Sequence, residues 1–201
     1  MFSWFPVRLA SYIILIYLFI NLYNFYPVFF REQFVNDTKI ENKNKSEINS
    51  KINIATPTKI IIPKIGVETK VLPVGKTFSG NMEVPNSLKN VGWYKYGAKP
   101  GEIGNSVIAG HEIDELGFGA IFKNLYLLKP GDEILVENSL GEILTFIVQD
   151  SEIYKYNNAP LEKIFGNSET SNLNLITCEG TFISKLKTKD QRLIVFSKLK
   201  V

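Results

Sequence analysis

From residue 57 onward the chain is divided into short β-branched runs, each bounded by Gly, Pro, Asn or Asp. These runs are KIIIPKI (59–65), ETKVLPV (68–74), NSVIAG (105–110), DEILVE (132–137), EILTFIVQD (142–150), LNLITC (173–178) and RLIVFSKL (192–199). Branching at Cβ restricts a side chain in a helix but suits the pleated surface of a sheet. Seven such runs separated by turn residues predict an all-β barrel or sandwich. DEILVENSLGEILTFIV reads as a hairpin closed around Ser139, Leu140 and Gly141. Only FGAIFKNLYLL (118–128) and APLEKIFG (159–166) read as helices, both short, the second with a proline near its first turn.

The two segments ahead of this domain have different textures. Between Arg8 and Arg31 lie 22 residues without a charge, LASYIILIYLFINLYNFYPVFF. As a helix they would span roughly 33 Å, about one bilayer core. Tyr and Phe crowd the C-terminal end of the segment, as in an interfacial aromatic belt. The run is longer than the ~7–15 apolar residues of a secretory signal peptide, and no small-residue cleavage site follows it. Residues 9–30 therefore read as an uncleaved transmembrane helix after a short N-terminal segment, 1–8. Residues 31–56, rich in Asn, Lys, Glu and Ser, sustain no apolar period and read as a flexible linker. The β-rich domain is then expected at 57–201 on a single-pass anchor, whose orientation Arg8 on one side and Arg31 with Glu32 on the other leave poorly determined.

Composition narrows the function by exclusion. With 23 basic and 20 acidic residues the net charge is +3, too balanced for the dense basic face of a nucleic-acid binder. One Cys and one His cannot build a Cys-His structural zinc site, which needs four such ligands. No acidic cluster is plain enough to mark a calcium site, and no cofactor is called for.

The chemistry then rests on few residues. Cys178 ends the run LNLITC just before a Glu-Gly turn, and is either a small buried hydrophobe or a nucleophile presented by a rigid strand. A free thiol has a pKa near ~8.5 and needs a helper at neutral pH. The one histidine, His111 in SVIAGHEID, also follows a buried-looking strand, with small Ala109 and Gly110 ahead of it. Arg192 opens the last run, and its planar fork suits a carbonyl or a developing oxyanion; alternatively it is a solvated charge beside Asp190.

Taken with their contexts, these residues resemble the sortases, membrane-anchored cysteine transpeptidases of bacterial surfaces. The family's Thr-Leu-X-Thr-Cys strand stands here as Asn174-Leu175-Ile176-Thr177-Cys178, with Asn in place of the first Thr. Arg192 follows 14 positions after the cysteine, and His111 precedes it by 67. IPKIGVETKVLPVG, GNMEVPN, VGWYKYGAKPGEIGNSVIAGH and FKNLYLLKPGD extend the resemblance over about residues 58–200, most similar to class F-like sortases.

The resemblance implies a closed sortase-type barrel of about eight strands with one or two short helices, with residues 57–201 as the catalytic domain, held on the outer face of the cell membrane by the single-pass anchor. It also implies a mechanism. Cys178 attacks the Thr-Gly bond of a Leu-Pro-X-Thr-Gly-like signal on a secreted protein. His111 protonates the leaving amine and deprotonates the entering one, while Arg192 holds the substrate backbone and the oxyanion. The thioacyl enzyme is resolved by an amine, such as that of a peptidoglycan precursor. Thr177 either shapes the substrate-binding site from the strand or is a plain strand residue. The rivals are an L,D-transpeptidase-like enzyme and an inactive, membrane-tethered peptide-binding barrel. Ile176-Thr177-Cys178 lacks the Ser/His-x-Gly-Cys element of the first, and retention of Cys, His and Arg in their contexts speaks against the second.

Overall fold

The computed structural model describes residues 54–113 and 119–201; the expected transmembrane helix and nearly all of the linker lie outside them. No helix among the described residues is long and apolar enough to cross a membrane. Eight strands form a closed barrel: β1 (Pro57–Ile62), β2 (Val67–Val74), β3 (Val91–Tyr94), β4 (Gly104–Ala109), β5 (Glu133–Asn138), β6 (Ile143–Lys155), β7 (Ser171–Ile183) and β8 (Thr188–Leu199). Their order around the barrel is β1-β2-β3-β4-β7-β8-β6-β5, closed by pairing of β1 with β5. The expected hairpin at residues 132–148 forms, β5 pairing antiparallel with β6. Its turn is organised by Asn138, whose Oδ1 accepts from the amides of Leu140 and Glu142 at 3.0 and 3.1 Å.

Two pairings are parallel, β2 with β3 and β4 with β7. β4 is buried along its whole length, because two hydrophobic clusters cover its opposite faces. Ile108 faces the barrel interior with Phe122, Phe146, Leu173, Leu175, Leu193 and Val195, among others. Val107 faces outward into a second cluster with Tyr94, Ile164 and Ile194. Ile164 belongs to α1 (Leu161–Phe165), a single short helix on the β6–β7 connection.

Two expectations about elements are corrected. Residues 119–128 do not form a helix of α type. Amide-to-carbonyl bonds run from Lys123 to Ala120, Leu125 to Phe122, Leu127 to Asn124 and Leu128 to Leu125. These are three-residue closures, and the buried side chains Phe122, Leu125 and Leu128 follow the same spacing of three. The second correction concerns the strand that carries the thiol. β7 does not stop before Glu179-Gly180 but runs on to Ile183, with a bulge between Glu179 and Phe182. Gly180 takes φ +82°, and a Cβ there would lie 2.2 Å from Asp190 Oδ1, so the Glu-Gly pair is a bulge inside a long hairpin. β8 likewise begins at Thr188, four residues before Arg192.

Candidate active site

Three neighbouring strands bring the candidate residues together. In the β7–β8 ladder Cys178 and Arg192 are directly opposed. Residues so paired share one face of the sheet, with Cβ atoms about 4.5–5.5 Å apart. On the other flank of β7, Ala109 of β4 pairs with Ile176, and the amide of Gly110 bonds the Ile176 carbonyl at 3.0 Å. Two residues further along each chain stand His111 and Cys178.

Alternation fixes the face. Leu173, Leu175, Leu193 and Val195 point into the barrel, whereas Ile176, Ile194 and Phe196 belong to the outer cluster. Cys178 and Arg192 therefore lie on the outer surface of the barrel wall, in step with Ile176 and Ile194. Cys178 is a free thiol, partly exposed, as are His111 and Arg192.

His111 leaves β4 under tight constraint. Its carbonyl accepts the amide of Phe122 at 2.8 Å, and its Nε2 lies 2.8 Å from the Pro85 carbonyl. A carbonyl oxygen only accepts, so Nε2 carries the hydrogen, and in the neutral ring Nδ1 holds the free lone pair that can take up a proton. Thr177 is buried, and its hydroxyl donates to the Gly110 carbonyl at 2.8 Å. That bond ties β7, one residue before the thiol, to β4, one residue before the histidine.

Arg192 is anchored at the beginning of its own strand. Its Nη1 donates to the carbonyls of Lys189 and Gln191 at 2.9 and 2.7 Å, and its Nη2 donates to Thr188 Oγ1 at 2.7 Å. Three of five guanidinium hydrogens are thus engaged. Nε–H and one hydrogen of Nη2 remain for an incoming acceptor, among the described residues.

The Asn that replaces the family's first Thr has a definite role here. Asn174 is buried, and its Nδ2 donates to the Ile164 carbonyl at 2.8 Å. Asn105 on β4 donates to the Gly166 carbonyl at 2.8 Å and accepts from Asn172 at 3.0 Å. These amides hold the C-terminal end of α1 against the barrel wall, a reach that a threonine hydroxyl lacks. The other side of α1 is braced by Lys163, which bonds Glu152 on β6, itself an acceptor of the Tyr154 hydroxyl. Lys163, followed by Tyr154, holds the Glu152 carboxyl below its usual range, and burial pushes the Tyr154 phenol up. Neither the asparagine ladder nor this brace was anticipated from sequence, because both depend on which strands adjoin.

A family model for the sortase domain matches residues 60–200. Among solved structures, sortase C-1 from Actinomyces oris superposes with a TM-score of 0.56 at 25% identity, over 72% of this chain and 73% of that one. A Clostridium perfringens sortase D5 transpeptidase gives 0.54 at 25% identity, over 80% and 89%. Sortase A from Corynebacterium diphtheriae gives 0.56 at 20% identity, over 73% and 61%, a likeness of fold. No curated protein matches the sequence. The barrel, the Cys178–Arg192 register and a family match that spans all but the first residues of the barrel agree, and the chain belongs to the sortase family of transpeptidases.

Proposed function

We propose that this protein is a cysteine transpeptidase that cleaves a Leu-Pro-X-Thr-Gly-like sorting signal between Thr and Gly and joins the new acyl end to an amine of the cell wall. The observation that carries the reading is the register that sets Cys178 opposite Arg192, with His111 at the end of the strand on the other flank. The Cys178 thiolate attacks the threonyl carbonyl, and the electrons displaced onto oxygen are met by the free hydrogens of the Arg192 fork. The tetrahedral intermediate collapses with loss of the glycyl amine, which takes a proton from His111. A second amine then attacks the thioester, giving its proton to the same imidazole, and Cys178 leaves as the thiolate. Thr177 serves by position: its bond to Gly110 sets where His111 leaves β4.

Residues 9–30 would hold the enzyme in the cell membrane with the barrel outside, where secreted substrates and peptidoglycan precursors meet. The test is release of a labelled Leu-Pro-X-Thr-Gly peptide in the presence of hydroxylamine. The wild-type protein should give hydroxylamine-dependent release, and Cys178→Ala should give none while remaining folded by circular dichroism. Turnover by the Cys178→Ala variant would overturn the mechanism. Binding without release by the wild type would identify a peptide-binding module instead.

A further inference from the structure

Glu112, the residue after His111, is held by an ion pair for which the chemistry above gives no use. Lys189 Nζ donates to both carboxylate oxygens of Glu112, at 2.9 and 2.7 Å. With side chains only 13% and 16% exposed, it is the most buried ion pair among the described residues. Its partners come from the exit of β4 and the start of β8, which are not neighbours: β7 runs between them. The pair therefore reaches across the strand that carries Cys178.

The same lysine is tied to the opposite side of the site through its backbone, since the Lys189 carbonyl accepts from Arg192 Nη1 at 2.9 Å. Backbone bonds from Ala120 to Glu112 and from Phe122 to His111 hold the histidine segment from behind, each 2.8 Å long. One residue thus grips the neighbour of His111 by its side chain and the guanidinium of Arg192 by its carbonyl. We propose that Glu112 and Lys189 are a positioning pair that fixes the separation between the proton-transfer group and the oxyanion donor across the nucleophile. The inference rests on the roles proposed above for His111, Cys178 and Arg192.

A pair largely shielded from water is costly to break from one side, because the surviving charge is left unpaired. Small displacements of catalytic groups also weigh heavily on rate, up to ~10²-fold for about 1 Å. Lys189→Met and Glu112→Gln should each lower kcat for hydroxylamine-dependent release about tenfold, with KM for the peptide changed less than about twofold. Because the two act as a unit, the double variant should be no worse than the poorer single one. Lys189→Arg, which keeps the charge and the backbone carbonyl, should recover most of kcat.

The wild type and Cys178→Ala, run alongside, separate this idea from its foundation. Absence of wild-type turnover would remove the assigned chemistry, whereas an active wild type with equally active single variants would remove only the pair. Losses in the two single variants that multiply in the double variant would also overturn it, as would a fall in melting temperature with kcat unchanged. Glu112→Gln is isosteric and keeps a hydrogen-bond acceptor, so it reports even where Lys189→Met fails to fold.

Discussion

Arg192 is the single residue whose contacts most restrict what can replace it, because its guanidinium is already shared among Thr188, Lys189 and Gln191. Cys178 and His111 are the only residues of their kinds, so a Cys-His mechanism had one possible pair. That the imidazole turns Nε2 toward Pro85, and that Arg192 bonds Thr188, Lys189 and Gln191, depends on contacts no spacing rule contains. Those contacts sharpen what replacing the arginine should do. Lysine keeps one positive charge on a flexible stem, but its single ammonium cannot bond two carbonyls and a hydroxyl and still present a forked donor to an oxyanion. Arg192→Lys should reduce turnover of the sorting peptide by roughly 10²–10³, as loss of one oxyanion donor does elsewhere. Alkylation of Cys178 by a small reagent should continue, since that needs only an accessible thiol. Turnover near the wild-type rate in a folded variant would assign the oxyanion to other donors.

Strands rich in β-branched residues were read from sequence, β4 among them although it is buried on both faces, and the shorter or less regular elements were not. β3 was missed as a strand: VGWY is only four residues long, buried on both faces and without alternation. Residues 118–128 carry apolar side chains at positions that fit a helix, yet the described part closes in three-residue turns because Phe122, Leu125 and Leu128 must all reach the same interior. The extent of β7 beyond Cys178 was hidden by Glu179-Gly180, since a glycine at a bulge and a glycine in a turn look alike in sequence. Gly110 shows how closely an element end can be packed. A Cβ there would lie 2.6 Å from the ring of Phe122, which is fully buried and cannot yield. Gly110→Ala should cost about 1–3 kcal/mol of stability, the usual range for an overpacked core. Because the same shift moves the carbonyl that Thr177 holds and the residue ahead of His111, turnover should fall more than the loss of folded protein explains. A urea melt and a rate measured below the transition would separate the two effects; an unchanged melt would mean that the ring moves freely after all.

At the scale of the whole molecule, the strand runs implied a barrel or a sandwich, without deciding between them or giving the strand order. The parallel pairing of β4 with β7 places residues 67 positions apart side by side, and hydrophobic pattern carries no information about which strands become neighbours. The family resemblance supplied the closed barrel, though not the strand order. The function proposed above sets a demand on the rest of the chain: an enzyme that joins secreted proteins to wall precursors works where both arrive, at the outer face of the membrane. As a helix, the 22 uncharged residues 9–30 would match a bilayer core in length, and Phe25-Tyr26-Pro27-Val28-Phe29-Phe30 is bulky throughout, unlike the small-residue site of a cleaved leader. Arg8 on one side and Arg31 with Glu32 on the other give little charge asymmetry to fix orientation, so orientation has to be measured. With the cell wall removed, protease added outside should digest or release the barrel from intact cells, and a tag ahead of residue 9 should stay protected. Membrane extracts should contain the barrel still joined to residues 9–30, identified by mass spectrometry of the intact protein. A soluble product beginning near residue 31 would make the segment a cleaved leader, and protection of the barrel with exposure of the tag would invert the topology. Either result would leave the barrel's chemistry in place but remove it from the surface at which a tethered transpeptidase has to act.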